Sequence, residues 1–224
     1  KDMILYTNGC SFTWGDELSN RNSRYASLLA NKLNCELVDN SMCGASNERI
    51  LRTTLDYLQD PKTDLENLIV VIGWSGISRT ELYSDGWDTI TPTMSGTDTR
   101  AIEYYKHIQS EQQDNLKFYN QVLLLQLWLE KHNVKYFMFR IDSGQVKMVV
   151  KDGSNREVSD GYDTTYLSQQ QIKDINLKTF PSYISNTLTF REYGIQNGGG
   201  LKPKGHPDEK SHELFTQYLY NIIQ

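Results

Sequence analysis

A serine held in a small-residue turn near one end of the chain, and a histidine before a proline near the other, could form a nucleophile and its base. Ser11 lies in Asn8-Gly9-Cys10-Ser11-Phe12-Thr13-Trp14-Gly15, directly after the apolar run Met3-Ile4-Leu5-Tyr6. His206 lies in Gly205-His206-Pro207, just ahead of the last helical segment. A serine hydroxyl is a poor nucleophile until a neighbouring imidazole takes its proton. A strand that ends in such a turn presents the hydroxyl at the carboxyl edge of a parallel sheet, where open α/β sheets bind ligands.

The elements that must position these groups alternate through the first 141 residues. Strands are expected at Met3 to Thr7, Glu36 to Asp39, Leu68 to Gly73 and Val134 to Ile141. The third is continuous in Leu, Ile and Val, as in a strand covered on both faces. Helices are expected at Arg24 to Asn34, Asn47 to Leu58 and Asp114 to His132, with a last one at Asp208 to Ile223. This order implies a parallel sheet with right-handed crossovers. Two stretches interrupt it, at about 78–113 and 143–204. The second carries a hairpin signal from Val146 to Val158 around Asp152-Gly153. Connections of this length in one domain tend to be functional covers, here over the active edge.

Composition narrows the classes. At 224 residues the chain suits one sizeable α/β domain. A formal net charge of −5 argues against a nucleic-acid partner, which needs clustered Lys and Arg. No apolar run approaches the roughly 20 residues of a membrane span, and no secretory signal is visible. The three cysteines, Cys10, Cys35 and Cys43, lack zinc-type spacing and read as free thiols. The expectation is therefore a soluble protein, cytoplasmic rather than secreted, with neither metal nor cofactor. Gly198-Gly199-Gly200 lacks the Lys-Ser/Thr of a phosphate loop.

Four blocks at strand ends together resemble the SGNH (GDSL-like) hydrolase family. Gly9-Cys10-Ser11-Phe12-Thr13-Trp14-Gly15 is similar to its Gly-Asp-Ser block, with Cys10 in place of the aspartate. Asn40-Ser41-Met42-Cys43-Gly44-Ala45-Ser46 is similar to its glycine block. Ile72-Gly73-Trp74-Ser75 is similar to its Gly-x-Asn block, with serine for asparagine. Gly205-His206-Pro207, followed by His212, resembles its histidine block. The spelling also looks like that of hydrolase-like proteins found in phage and bacterial genomes.

The resemblance implies a three-layer α/β/α sandwich, flavodoxin-like, with a central parallel sheet and two long insertions. It also implies ester hydrolysis through an acyl-serine. Ser11 would be the nucleophile and His206 the base, and the N–H groups of Ser11 and Gly44 would form the oxyanion hole, with Ser75 as the third donor. Two departures stand out. Ser75 is shorter than asparagine, so it would reach through a water, or Asn47 would supply the amide. The family's acid falls at Pro203, which leaves His206 oriented by a backbone carbonyl, as a Ser–His dyad, or by Asp142 at the end of the fourth strand.

The substrate reading is a small ester, with carbohydrate O-acetyl groups suggested by the Tyr, Trp, Asn and Thr content. The alternative is a catalytically impaired domain that binds a glycan or a partner protein. Each residue also has a plainer role. Asp16 and Glu17 would be solvated or bridge loops, His212 would pack in the terminal helix, and Trp14 and Trp74 would pack around the loops.

Overall fold

The first strand, β1, runs Ile4–Gly9 and passes directly into a single helical turn, α1, at Ser11–Trp14. The computed structural model describes residues 2–143, 147–150 and 156–224. Next come α2 (Tyr25–Leu33), β2 (Glu36–Asp39), α3 (Asn47–Gln59) and β3 (Leu68–Trp74). After the first insertion the pattern resumes with α5 (Glu111–Lys131) and β6 (Lys135–Arg140). The four strands form one parallel sheet in the order β2-β1-β3-β6. Every residue of β3 is buried, as its unbroken apolar run requires.

Helices cover both faces, which makes the three layers. On one side α2 packs against the terminal helix α8 (Glu209–Ile223), which also carries α7 (Phe190–Gln196). On the other, α3 packs against α5. The core includes Leu5, Leu29, Ile50, Val70, Ile72, Leu125, Phe139 and Phe215. Tyr25, Phe139, Phe190 and Phe215 meet there edge-on or stacked.

The first insertion forms a hairpin, β4 (Thr80–Tyr83) with β5 (Trp87–Ile90), and a helix, α4 (Thr99–His107). The second begins with the antiparallel pair β7 (Lys147–Val149) and β8 (Glu157–Ser159) and includes the short α6 (Gln169–Lys173) and α7. The expected hairpin is therefore present, and its Asp152-Gly153 tip lies outside the described residues. The two insertions share a small core of their own, in which Ile90, Ala101 and Tyr105 pack with Val150 and Val158. Helix α4 was not legible in the sequence because it buries only Ala101 and Tyr105, too few for a clear 3.6-residue period. Helix α5 starts three residues before its expected start, where Ser110 Oγ accepts from Gln113 N–H at 3.2 Å.

His212 settles into the packed role. Its Nδ1 accepts the Tyr25 N–H at 2.9 Å, which closes the first turn of α2, where Arg24 offers no side-chain cap. The ring lies parallel to Tyr25 with centroids 6.1 Å apart and is 1% exposed. Burial drives the imidazolium down to about 3.

An unfolded chain takes up this proton near pH 6.5 and the folded chain refuses it, so stability should fall as pH drops from about 6.5 toward 3. The slope approaches ~1.4 kcal/mol per pH unit. Asp114, whose carboxyl burial raises to about 6, acts in the opposite sense below that value. The test compares urea midpoints at about pH 7 and about pH 5 for the wild type and His212→Asn, whose Oδ1 can replace Nδ1 as acceptor. The variant should lose part of the slope; equal slopes would overturn the assignment.

Candidate active site

The turn that carries Ser11 depends on two glycines paired across the sheet. Gly9 and Gly73 are register partners at the ends of β1 and β3. A Cβ on Gly9 would lie 2.2 Å from Thr13 Oγ1, and one on Gly73 2.7 Å from the same atom. The missing side chains let α1 sit directly on the strand ends, where Tyr25 Oη donates to Thr13 Oγ1 at 3.1 Å. Cys10 O accepts from Thr13 N–H and Trp14 N–H, and Gly15 ends the turn at φ +80°. Ser11 is 8% exposed at the first helical position, and its Oγ makes no hydrogen bond among the described residues.

His206 is brought to this turn by the loop before α8. Lys202 and Gly205 close a turn, Leu201 bridges Pro207, and Gly205 takes φ +91°. The His206 ring meets Phe12, next to Ser11, edge-on at 5.4 Å between centroids. Its Nδ1 lies 2.6 Å from Glu17 Oε2, and Nε2 lies 3.7 Å from Asp16 Oδ2. Glu17 also accepts the Lys204 N–H at 3.0 Å. Residues 17 and 204–206 are thus tied together just after the Ser11 turn.

Glu17 holds an uncommon backbone conformation for a non-glycine residue, φ +65°. Its side chain is 11% exposed. Burial opposes its charge, yet the hydrogen bonds from His206 and the Lys204 N–H hold the carboxyl below its ordinary value. Its sequence setting suggests only a solvated or loop-bridging residue, and the structure gives it the imidazole of His206 as partner. The available signal is the Gly15-Asp16-Glu17 run one to three residues past the helical turn, which carries no spacing rule that links it to position 206.

The glycine-block loop lies beside the same edge, because Met42 N–H donates to Gly9 O at 3.0 Å. Gly44 has φ +78° and open space where a Cβ would stand. Its demand for glycine is conformational, since no protein atom crowds it. The N–H groups of Ser11 and Gly44 make no hydrogen bond among the described residues.

Asn47 is occupied otherwise than as a free amide. Its Oδ1 accepts the Ser75 N–H at 2.8 Å and its Nδ2 donates to Ser75 O at 3.1 Å. Ser75 Oγ is buried without a hydrogen-bond partner among the described residues. Ser75 borders a small pocket of about 10 Å³ whose walls include Trp74, Phe118, Asp142, Asp160 and Tyr162. The hydroxyl expected as third oxyanion donor is therefore enclosed. Asp142 lies on that pocket too, where its charge acts on Arg140 and Arg79, while the carboxylate closest to the His206 ring is Glu17.

Trp74 is fully buried and donates to Met138 Sδ at 3.3 Å, and the Arg21 guanidinium lies 3.3 Å over the Trp14 ring. Cys10, Cys35 and Cys43 are free thiols, Cys43 exposed. Among the described residues, no group of three or more His, Cys, Asp or Glu side chains is arranged to hold a metal ion, and no helix is long and apolar enough to cross a membrane.

Solved structures share this architecture at low identity. An acetyl xylan esterase, AlAXEase, superposes with TM-score 0.53 at 13% identity, covering 99% of this chain and 100% of that one. A protein of the lipolytic G-D-S-L family from Desulfitobacterium hafniense DCB-2 gives 0.52 at 13%, covering 99% of each chain. TesA gives 0.51 at 12%, covering 99% and 98%. The chain has the α/β fold of these proteins. No curated protein matches it. A family model described as "Family of unknown function (DUF6071)" matches residues 16–223, a span that includes Glu17 and His206 and begins after Ser11. The chain belongs to that family.

Proposed function

We propose that the protein is a serine hydrolase acting on ester bonds, with Ser11 as nucleophile, His206 as base and Glu17 as the acid that orients it. The observation that carries this reading is the 2.6 Å contact between His206 Nδ1 and Glu17 Oε2, beside the Ser11 turn. A carboxylate can only accept, so it fixes the proton on Nδ1 and leaves Nε2 unprotonated for the base role. The missing acid at position 203 is thus supplied from the other end of the chain.

In this mechanism Ser11 Oγ attacks the ester carbonyl as His206 Nε2 takes the hydroxyl proton. The oxyanion rests on the unengaged N–H groups of Ser11 and Gly44. Collapse expels the alcohol, which leaves with the proton held on the imidazolium, and Ser11 keeps the acyl group. Water, deprotonated by His206, then releases the acid and restores the hydroxyl. Ser11 Oγ and the His206 ring share no hydrogen bond among the described residues, and in this mechanism the contact forms as substrate binds, since catalytic hydrogen bonds often tighten only in the substrate complex. The two insertions are joined by their shared core, and the second reaches the loop after β3 through Asp160. A carbohydrate O-acetyl ester is the substrate class we favour, supported by the likeness to an acetyl xylan esterase.

The enclosed Ser75 hydroxyl favours a second reading, in which the domain binds an acylated glycan without turning it over. Hydrolysis of p-nitrophenyl acetate and labelling by a fluorophosphonate probe separate the two. Ser11→Ala and His206→Ala should abolish both signals; labelling that survives Ser11→Ala, or none in the wild type, would overturn the hydrolase reading. Glu17→Gln should lower kcat by roughly 10⁴ with little change in KM, as when a triad acid becomes an amide. Because its carboxyl is held below the ordinary value, Glu17 should stay ionised as pH falls through the usual carboxylate range and protonate only below it, which a carboxyl NMR titration would read. Gly44→Ala should cost about 1–2 kcal/mol in a denaturation midpoint, from the left-handed backbone it must adopt.

A further inference from the structure

The loop that leaves β3 is held from three directions. From α3, Asn47 brackets the Ser75 backbone on both its N–H and its carbonyl. From α4 in the first insertion, Tyr105 Oη donates to Ser78 O at 2.8 Å. The third hold is the densest and comes from the second insertion. Asp160 O accepts the Ile77 N–H at 3.2 Å, and Asp160 Oδ1 accepts Ser78 Oγ at 2.5 Å and Ser78 N–H at 3.3 Å. Its other oxygen lies 3.9 Å from the Arg79 guanidinium.

The approach is close enough to dictate a residue type. A Cβ on Gly76 would fall 2.0 Å from Asp160 Oδ2, so only glycine lets the carboxylate sit against the loop. Ser78 is fully buried and Asp160 is 9% exposed, so the network is shielded from solvent, where such bonds hold geometry most firmly. The same Asp160 lines the small pocket that Ser75 borders.

We infer that Asp160 is a positioning residue: through Ser78 and Gly76 it fixes the loop after β3, and with it the strand end whose Gly73 pairs with Gly9 beneath the Ser11 turn. The second insertion is then part of the catalytic frame, since it carries the side chain that sets this strand end. The inference rests on the hydrolase reading for its effect on rate, and on the hydrogen-bond network alone for its effect on the loop. Asp160→Asn keeps an acceptor for Ser78, Asp160→Ala removes it, and Ser78→Ala removes one donor while leaving the N–H bond.

Two readouts are taken on each full-length variant. In hydrogen exchange, the Ile77 and Ser78 amides should exchange at least about tenfold faster in Asp160→Ala, less so in Ser78→Ala, and near wild-type rates in Asp160→Asn. With p-nitrophenyl acetate, Asp160→Ala should lose roughly 10–100-fold in kcat with KM changed less than about twofold, and Asp160→Asn should recover most of it. Unchanged exchange in Asp160→Ala overturns the inference, as does faster exchange with kcat intact. If Asp160→Ala does not fold, Ser78→Ala carries the test with the same directions. A wild type without Ser11-dependent turnover overturns the hydrolase reading instead, and the exchange data then decide the role of Asp160 in holding the loop.

Discussion

The hydrogen bond between Glu17 and His206 is the constraint around which the rest of the molecule is arranged. It spans 189 positions of sequence and exists only because the sheet brings the first strand and the last loop to one edge. Glu17 gives up ordinary backbone geometry to make it, with φ +65° directly after the Gly15 turn. The loop of residue 206 is secured in turn by Lys202 and Ser19 on Glu209, and by Asp208 capping α8 through the Ser211 N–H. Holding the imidazole thus engages the start of α8 as well as the end of α1.

Glycine works at the edge in two distinct ways. Gly9, Gly73 and Gly76 serve close approach, the first two beneath Thr13 and the third beneath Asp160. Gly44 serves conformation, with no protein atom near its missing Cβ. Gly44 also keeps its backbone N–H without a hydrogen bond among the described residues, which is the property an anionic oxygen would use.

Much of the fold was legible in the sequence because it rests on local periodicity. The continuous Leu68–Trp74 run and the Ile50, Leu58 face of α3 are written in neighbouring residues. Ser11, Gly44 and His206 stand out in the sequence as candidates for the same reason, since each sits in a short block at a strand or helix end. Glu17 does not, because its role depends on a partner far along the chain and no local pattern encodes that pairing. The inward turn of Ser75 was equally hidden, being set by Asn47 and by an insertion that begins some seventy residues later. Helix α4 escaped notice because its buried face is completed by Val150 and Val158 rather than by the sheet.

That shared cluster makes each insertion depend on the other. Val150 and Val158 are covered by Ile90, Ala101 and Tyr105, with Leu82, Met94 and Tyr104 packed against the same cluster. A chain that lost one insertion would leave the other with a greasy flank open to water. The two segments therefore stand or fall together in the folded chain, although the whole of α5 and β6 lies between them.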